Sequence, residues 1–512
     1  MLARVYSVAL VGIDALRVGV EVDLAAGLPQ TVIVGLPDTA VQESRERVRA
    51  ALRNSGFIHP QRKVVVNLAP ADIRKEGPSF DLAIALGVLV ASGQVASQDL
   101  ETFCWLGELS LDGYLKPVRG CLAMADGVRA MGLKGVIVPQ ANRAEAAAIE
   151  GIAVYSLDHL NQVPEFLADP GRFLYQGTPT PLTGPSLGLD LSEVKGQSVG
   201  KRALEIAAAG GHNLLLVGPP GTGKTMLARR MPGILPPLTR EEALQVTKVY
   251  SVAGLLKQQG LLSERPFRAP HHSASAAAMV GGGSFPRPGE VSLAHQGILF
   301  LDEAAEFRRE VLECLRQPLE DGEVLISRTR QQVTFPAQVA VVMSANPCPC
   351  GPKPRPGSSQ PVCVCSPLQR QRYWNRLSGP ILDRIDLQVQ VENLKPEELI
   401  SLRPAESSQA VRVRVVQARL RQQERFQGLG LTCNAQMQTK HLREFCLLDE
   451  AGRGLLQMAI QRLGMTARSY DRILKMARTI ADLSGSPTIQ VSQVAEAIQY
   501  RSLDREGKLL AG

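Results

Sequence analysis

The chain has 512 residues, more than one hydrophobic core usually serves, so we expect two or three domains. Its 45% hydrophobic and 21% charged residues are typical of a soluble globular protein, and its longest uncharged apolar run is too short to span a bilayer, which excludes a membrane-spanning protein. The net charge of +8 mildly favours a polyanionic partner, although so small a surplus on so long a chain also suits solubility alone.

The N-terminus and the cysteines predict the compartment. Residues 1–18 alternate like a strand and are interrupted by Asp14, so we reject a signal peptide. Nine cysteines are an odd number, and four of them lie between positions 348 and 365, which fits reduced thiols better than a disulfide framework. We therefore expect a cytoplasmic protein that does not associate with membranes.

Composition changes twice along the chain. Pro, Gly and Thr crowd residues 176–188, which is typical of a linker between independently folded parts. After Pro396, helical patterns replace the alternation of strands. The predicted organisation is a first domain at residues 1–172, a linker at 173–189, a second domain at 190–395 and a helical third domain at 396–512.

The first domain alternates strand and helix patterns. The apolar run QTVIVGL predicts a strand, and Thr39 with Gln42 predicts a capping box at the start of the following helix. Val41, Val48 and Leu52 share one face of that helix, which we expect to be buried.

Further patterns complete an α+β domain. A hairpin turn is predicted at Asp112-Gly113, followed by a helix and a strand that begins at Gly135. The first helix also carries several arginines that could contact an anion, namely Arg45, Arg47, Arg49 and Arg53. A solvated helix face is the better interpretation of these arginines.

A glycine-rich stretch, VGPPGTGKTML, begins the chemistry of the second domain. Gly218, Gly223, Lys224 and Thr225 fill the pattern G-x-x-x-x-G-K-[ST] between an apolar strand and a helical pattern, the context that a phosphate-binding loop requires. Backbone N–H groups of such a loop wrap phosphates, the lysine reaches the outer phosphates, and the threonine supplies a magnesium ligand. The predicted nucleotide-binding residues are Gly218, Pro219, Pro220, Gly221, Thr222, Gly223, Lys224 and Thr225.

Two later strands end in polar residues that fit the same pocket. The strand GILFL is followed by Asp302, predicted to hold magnesium, and Glu303, predicted to orient and deprotonate the attacking water. The strand AQVAVVMSA is followed by Asn346, which could sense the γ-phosphate, although a lone Asn at such a place is commonly a turn cap. We expect ATP and Mg²⁺ as cofactors.

Longer motifs identify a family. The chain contains VKGQSVGKRALEIAAAGGHNLLLVGPPGTGKTMLA, RPFRAPHHSASAAAMVGGGSFPRPGEVSLAHQGILFLDE, SANPCPCG, LSGPILDRIDL and ARSYDRILKMARTIADL. At these residues it resembles the AAA+ ATPases, specifically the magnesium-chelatase-like ComM or YifB family, over essentially its whole length. The resemblance implies a multidomain fold: an α+β Lon-protease-like N-terminal domain of the ribosomal S5 domain 2-like type, an α/β P-loop AAA+ core, and an all-α C-terminal lid.

The resemblance also implies roles for single residues. Asn346 looks like the sensor 1 residue, and Arg384 looks like the arginine finger that completes a neighbouring subunit's site, which implies a homo-oligomeric ring, a hexamer in the family. Arg468 matches the sensor 2 arginine, although Ser469 stands where the family usually has Gly. Without the resemblance, a surface ion pair would be the better interpretation of both arginines.

The same branch of AAA+ proteins carries two inserts directed at the ring channel. Residues 251–283 resemble the helix-2 insert, and EVLISRTRQQVTF predicts two strands that meet around Arg328 and Arg330. A basic hairpin tip suits contact with a DNA backbone, because such contacts are electrostatic and independent of sequence, but two arginines at a turn are often only solvated.

The N-terminal domain resembles the proteolytic domain of Lon proteases, which use a Ser-Lys pair. Ser79 in RKEGPSFD occupies the nucleophile's place, but Leu122 stands where the family has its lysine. A leucine cannot accept the serine's proton, and Lys116 precedes the motif, so we predict no peptidase activity.

Four cysteines surround a proline-rich loop after the third strand. Cys348, Cys350, Cys363 and Cys365 have the spacing C-x-C, twelve residues, C-x-C, which is tighter than the usual two residues between zinc-binding cysteines. Four thiolates suffice for a tetrahedral site and the proline-rich loop between them cannot pack a core, so a structural zinc site is narrowly favoured over buried thiols or reversible disulfides. His271 and His272 lack such companions and are not predicted to bind metal.

The helical third domain begins with a basic pattern, QAVRVRVVQARLRQQERF. Arg414, Arg421 and Arg425 share one face, which fits nucleic acid and a solvated lid helix equally well. We expect a cytosolic ATPase ring that moves along branched or single-stranded DNA, a branch-migration helicase that aids integration of homologous DNA in natural transformation. The alternatives are a chelatase-type motor acting on a metal-insertion partner and a non-catalytic binding platform that ATP assembles.

Overall fold

The computed structural model describes residues 2–96, 98–177, 188–256, 260–283, 286–328, 331–351, 363–377, 379–394, 405–463 and 465–501. The chain forms two compact units. The first comprises Met1–Thr183, Ala243–Leu262 and Ser327–Phe335, and the second comprises Gly184–Glu242, Ser263–Ile326 and Pro336–Gly512. The sequence-based division into domains at 1–172, 190–395 and 396–512 stays a prediction.

Within the described residues, the first unit has a sheet of seven strands in the order β3-β4-β2-β1-β5-β8-β9. Strands β1, β2 and β4 pair antiparallel, while β3 with β4 and the series β1, β5, β8, β9 pair parallel. A short hairpin of β6 and β7 turns at Asp112 and Gly113, as predicted. The strands are β1 Ala3–Val11, β2 Asp14–Ala25, β3 Gln30–Val34, β4 Lys63–Ala69, β5 Phe103–Trp105, β6 Glu108–Leu109, β7 Leu115–Lys116, β8 Gly135–Pro139 and β9 Ala153–Leu157.

Helix α2 forms the centre of this unit's core. Every residue of Asp81–Ala91 is buried, which explains the long apolar run in the sequence. Gly87 lets the helix approach β2 closely, because a Cβ there would lie 2.4 Å from Cγ2 of Val22. The unit's helices are α1 Thr39–Asn54, α2 Asp81–Ala91, α3 Cys121–Ala130, α4 Arg143–Ala146 and α5 Val163–Ala168.

The predicted capping box of helix α1 is wrong. The cap is Asp38, whose Oδ1 accepts a hydrogen bond of 2.7 Å from the backbone N–H of Val41. Thr39 is already the first helical residue, so its hydroxyl is one position too late to cap. The predicted buried face is confirmed, since Val41, Val48 and Leu52 are at most 3% exposed.

Among the described residues, the second unit has a sheet of five parallel strands in the order β11-β14-β17-β10-β18. All the strands of this sheet therefore end at the same edge, although they come from distant parts of the chain. The remaining strands are β10 Leu214–Val217, β11 Phe267–Arg268, β12 Gly281–Gly282, β13 Arg287–Pro288, β14 Ile298–Leu301, β15 Glu323–Arg328, β16 Gln331–Pro336, β17 Ala340–Ala345 and β18 Leu387–Gln390.

The remaining helices surround that sheet or follow it in the chain, except the helix Arg240–Ala253, most of which belongs to the first unit through Ala243–Leu262. They are α6 Ser198–Gly210, α7 Lys224–Ile234, α8 Arg240–Ala253, α9 Ala276–Val280, α10 Glu290–Leu293, α11 Arg309–Glu313, α12 Arg316–Asp321, α13 Pro367–Trp374, α14 Gly379–Leu382, α15 Ser408–Arg425, α16 Thr439–Phe445, α17 Glu450–Leu463, α18 Ala467–Leu483 and α19 Val491–Gln499. The described part of the chain after residue 404 is thus helical, as predicted. In the described residues, every helix is too short or too polar to cross a membrane.

The basic helix α15 is tied into the second unit. Arg414 pairs with Glu205 and Glu406, and Arg425 pairs with Asp482, a carboxylate with no exposed surface. Arg421 donates to the backbone carbonyl of Asp482 at 2.7 Å. These arginines therefore stabilise the helical packing, which agrees with the lid interpretation of this helix rather than with nucleic-acid contact.

Candidate functional site: a phosphate-binding edge

The site lies where the parallel strands of the second unit end. The glycine-rich loop follows β10, Asp302 and Glu303 follow β14, and Asn346 follows β17. Because β10 and β14 both pair with β17, the three segments meet at one edge of the sheet. In open α/β sheets ligands bind at this edge.

The loop has the geometry of a phosphate cradle. Gly223 has a φ of +89°, which an L-residue rarely adopts, and it caps helix α7 so that the first backbone N–H groups of the helix point into the loop. Gly218 approaches another chain segment so closely that a Cβ would lie 2.2 Å from the carbonyl oxygen of Val391. Both glycines are therefore required by the backbone itself.

Lys224 is buried among oxygen acceptors. Its Nζ donates hydrogen bonds of 2.7 Å to the carbonyls of Gly218 and Pro219, and it lies 3.3 Å from Oδ1 of Asn346. Burial lowers the pKa of the Lys224 ammonium, and the nearby charges of Asp302 and Glu303 oppose that shift. The structure thus joins the predicted lysine to the predicted sensor.

Thr225 and Asp302 stand side by side. The hydroxyl of Thr225 donates a hydrogen bond of 3.0 Å to Oδ2 of Asp302. These are hard oxygen donors of the kind that Mg²⁺ takes together with phosphate oxygens. The predicted magnesium ligands, from segments 77 positions apart, therefore meet.

Ser344 is a site residue that the sequence analysis missed. Its hydroxyl donates to Oδ1 of Asp302 and accepts a hydrogen bond of 3.1 Å from the backbone N–H of Glu303. It thereby fixes both acidic residues from the neighbouring strand. A serine within the otherwise apolar strand AVVMSA was the available sequence signal.

His272 is a second missed contact. Its Nδ1 lies 3.7 Å from Oε2 of Glu303, and its ring stacks on that of His271 at 4.1 Å between centroids. Glu303 has a φ of +53°, an uncommon backbone conformation for this residue type. Its carboxylate therefore faces the histidine that follows β11, whereas Asp302 faces the phosphate loop.

The two predicted arginines form a separate group. Arg384 is 5% exposed, pairs with Glu320 and donates a hydrogen bond of 3.2 Å to the carbonyl of Arg316. Arg468 is exposed and lies 3.6 Å from Asp383, the residue next to Arg384. Within the part of the chain that the structure describes, neither arginine forms a hydrogen bond or an ion pair with the phosphate loop of its own chain.

The charges around Arg384 oppose one another. Burial lowers the pKa of its guanidinium, the carboxylate of Glu320 raises it, and the positive charges of Arg316, Arg468 and Arg472 lower it further. Arg384 thus belongs to a cluster of four arginines close enough to interact. Such a cluster is a suitable site for an anion supplied from outside this chain.

The predicted β-hairpin is observed as two paired strands, β15 and β16. Arg330 and the side chain of Arg328 lie outside the described residues. Their proposed contact with DNA stays a prediction.

In the described part of the Lon-like region, no lysine forms a hydrogen bond with the hydroxyl of Ser79. Ser79 lies in a short 3₁₀ turn and is 6% exposed, and Leu122 is fully buried in helix α3. Lys116 is exposed on β7. Lys75, close to the serine in sequence, donates to the backbone carbonyls of Pro70 and Ile73. Lys75 is therefore engaged by backbone carbonyls, and Lys116 is exposed to solvent.

The four clustered cysteines converge. Their sulfur atoms all lie within 4.8 Å of one another, an arrangement that could hold a metal ion. All four are free thiols. Burial disfavours ionisation of Cys350, but hydrogen bonds from the backbone of Val364 and from neighbouring thiols lower its pKa to about 7.

Comparisons with known proteins cover nearly the whole chain. Three family models match it: Magnesium chelatase, subunit ChlI, at residues 190–399; Subunit ChlI of Mg-chelatase at 20–142; and Magnesium chelatase, subunit ChlI C-terminal, at 405–501. The chain is 45% identical to the uncharacterized protein YifB of Escherichia coli (strain K12) and 42% identical to competence protein ComM of Haemophilus influenzae, over 98% of both chains in each case. A shorter match, 30% identical over 25% of this chain and 23% of the relative, is to Lon protease 2 of Bacillus subtilis.

Proposed function

This chain belongs to the magnesium-chelatase-like AAA+ family of YifB and ComM, and on that premise we propose that it is an ATP hydrolase that works as a ring-forming motor on DNA. The observation that carries the proposal is the phosphate-binding edge. There Thr225 bonds to Asp302 and Lys224 contacts Asn346.

Each residue of that edge has a role in hydrolysis. Lys224 would hold the outer phosphates, and Thr225 with Asp302 would hold Mg²⁺, which when bound neutralises charge on the transferred phosphoryl group. Glu303 would orient the attacking water and accept its proton. Asn346, within reach of Lys224, would sense the γ-phosphate.

Arg384 and Arg468 are proposed to act in trans. They lie together beside Asp383, apart from the loop contacts of their own chain, as expected for residues that complete a neighbour's pocket. An arginine supplied by another subunit stabilises the charge that develops during phosphoryl transfer. We therefore propose a homo-oligomeric ring, a hexamer. In this ring Arg384 would leave its ion pair with Glu320 and contact the nucleotide bound by the neighbouring subunit.

DNA is the proposed substrate. One relative's name, competence protein, connects that relative with competence, and the net charge of +8 suits a polyanion. The hairpin, predicted from the sequence to carry Arg328 and Arg330 at its tip, would follow the phosphate backbone. The proposed work is ATP-driven migration of DNA branches in the cytoplasm, which aids integration of homologous DNA during natural transformation.

Peptidase activity is not proposed. A Ser-Lys protease needs a lysine that accepts the proton of its serine. Leu122 occupies the place of that lysine, and Lys75 is engaged by backbone carbonyls. The Lon-like domain would instead serve as a non-catalytic part of the motor.

The test is the ATPase rate with and without branched DNA, compared between the intact chain and Glu303→Gln. Branched DNA should stimulate hydrolysis by the intact chain, and the substitution should lower the rate by about a hundredfold or more while nucleotide still binds. Lys224→Ala, which should lose nucleotide binding as well, is the matched control.

Hydrolysis that no DNA changes would overturn the DNA motor. It would then favour a chelatase-type motor with a metal-insertion partner. Nucleotide binding without hydrolysis would favour an ATP-assembled binding platform.

A further inference from the structure

The four-cysteine cluster has the dimensions of a mononuclear metal site. The Sγ–Sγ distances are 3.2 Å between Cys348 and Cys350, 3.4 Å between Cys348 and Cys363, and 3.8 Å between Cys350 and Cys363. Zn–S bonds of about 2.3 Å at tetrahedral angles place sulfurs about 3.8 Å apart. These three distances lie within about 0.6 Å of that spacing, and the sulfur of Cys365 lies within 4.8 Å of the other three.

The chemistry of the donors selects the metal. Four thiolates in a tetrahedral set favour Zn²⁺ over the oxygen-seeking Mg²⁺ and Ca²⁺. An iron–sulfur cluster needs wider separations, because its irons and sulfides lie between the cysteines. The C-x-C spacing, which argued against zinc in the sequence, does not prevent the sulfurs from meeting.

The same cluster is joined to the nucleotide pocket at two places. Cys348 lies two residues after Asn346, the residue that Lys224 contacts. Gly351, one residue after Cys350, approaches the phosphate loop so closely that a Cβ would lie 3.0 Å from Cγ of Pro220. The positions of Asn346 and of the phosphate loop therefore depend on the positions of Cys348 and Cys350.

The second pair of cysteines is connected to the same region through the helix that follows it. Cys363 and Cys365 precede helix α13, which begins with a capping box at Ser366 and ends at Trp374. The indole N–H of Trp374 donates a hydrogen bond of 3.0 Å to the carbonyl of Pro347. An ion bound by all four cysteines would thus tie helix α13 to the chain between Asn346 and Gly351.

We propose that Cys348, Cys350, Cys363 and Cys365 bind one zinc ion, and that this ion positions Asn346 and the phosphate loop for nucleotide binding and hydrolysis. The positioning half rests on the proposed ATP site, whereas metal binding does not. The ion takes no part in the reaction itself. It acts on the pocket through the Asn346–Lys224 and Gly351–Pro220 contacts.

The first test is the metal content of the purified full-length chain, measured by mass spectrometry. About one zinc per chain is expected, and Cys363→Ser should reduce that content severalfold. Cys314→Ser, which changes a free thiol outside the cluster, should leave it unchanged. A chain prepared with zinc in the medium that carries none, or a Cys363→Ser variant with the full content, would refute the site.

The second test removes the zinc by chelation, restores Mg²⁺, and measures the affinity for a fluorescent ATP analogue together with the hydrolysis rate. Affinity or rate should fall by about tenfold or more, while far-UV circular dichroism is retained and added zinc restores activity. Unchanged affinity and rate would overturn the positioning role.

If zinc-loaded chain hydrolyses no ATP, the proposed function fails, and this positioning proposal is then decided by nucleotide affinity alone.

Discussion

Glu303, the proposed catalytic base, has contacts with segments that are distant in sequence. Ser344 accepts the hydrogen bond from its backbone N–H, and His272 faces its carboxylate at 3.7 Å. The hydrogen bond with Ser344 fixes the backbone of Glu303, and the contact with His272 influences the direction of its carboxylate. Since His272 follows an edge strand, a ligand that moves this segment would also move the partner of Glu303.

His272→Ala should raise the ATPase rate measured without DNA by about two- to fivefold, because the contact with Glu303 is half-exposed and worth at most about 1 kcal/mol. The variant should also be stimulated less by DNA. His271→Ala is the matched control, since among the described contacts His271 stacks on His272 and bonds to Ser273. Equal effects of the two substitutions would argue against a specific role for His272.

Asp386 is a buried carboxylate that joins sheet and helices. It accepts a hydrogen bond of 3.0 Å from the backbone N–H of Asn213, pairs with Arg472, and lies 3.4 Å from Nδ1 of His212. Burial alone would raise its pKa, but the charge of Arg472 and the contact with His212 hold that pKa far below the usual range.

The depressed pKa of Asp386 predicts a pH dependence of stability. Its folded pKa lies below the unfolded value of about 3.9, so its contribution is fully present above that value and is lost as pH falls toward the folded pKa. Asp386→Asn should lower the free energy of unfolding by about 3 kcal/mol at pH 7, with a smaller difference near pH 3. Urea unfolding at both pH values measures this.

Asp383→Asn is the control for Asp386→Asn, because Asp383 forms an exposed ion pair with Arg468. It should change stability by less than about 1 kcal/mol at either pH. A loss for Asp386→Asn that stays constant from pH 7 to pH 3 would contradict the assignment.

Helix α1 shows what decides the start of an element. Two adjacent residues, Asp38 and Thr39, fit the local sequence rules for a cap. Asp38 caps because its carboxylate also accepts a hydrogen bond of 3.1 Å from the backbone N–H of Gly77, a residue of a different segment. A tertiary contact therefore selected between neighbours that propensity could not separate.

Asp38→Ala should lower the free energy of unfolding of the first unit by about 1 to 2 kcal/mol, since it removes both hydrogen bonds. In a Trp374→Phe background, the remaining tryptophan is the fully buried Trp105 of that unit, and its fluorescence in urea reports this unfolding alone. Thr39→Ala should change the value by less than about 0.5 kcal/mol. A larger loss of unfolding free energy for Thr39→Ala than for Asp38→Ala would support the capping box predicted from the sequence.

At the scale of the whole molecule, the two predicted arginines lie in a group separate from the phosphate-binding edge. The phosphate-binding edge gathers Lys224, Thr225, Asp302 and Asn346, but the group of Arg384 and Arg468 has its own partners, Glu320 and Asp383. Under the proposed function, a single chain would therefore present two halves of a site. Arrangement of copies head to tail would bring the halves together and, if it closes, would form a ring.

Mixing two inactive variants tests this arrangement. Lys224→Ala lacks a working pocket and Arg384→Ala lacks the arginine that completes a neighbour's pocket, so each alone should be inactive. A one-to-one mixed oligomer should recover roughly a quarter of the wild-type ATPase rate, as random pairing of heterologous interfaces requires. No recovery in oligomers shown to contain both variants would assign Arg384 to its own chain.

Local patterns in the sequence determined the phosphate loop and the acidic pair. Each depends on a strand, a turn and, for the loop, a helix in direct succession, and the glycines at positions 218 and 223 are dictated by backbone geometry within a few residues. The helical C-terminal region was also predictable, because helical periodicity is a local property. The apolar run after Asp81 was visible in the sequence, but its helical form was not predicted, since every residue of Asp81–Ala91 is buried and the run has no polar face.

Tertiary structure alone decided which segments meet. The order β11-β14-β17-β10-β18 differs from the chain order, so it places Ser344 on Asp302 across 42 positions and His272 beside Glu303. The fold also brings the four cysteine sulfurs close together despite the unusual C-x-C spacing. Such contacts depend on strand pairing over long sequence separations, which no periodicity or motif within one segment encodes.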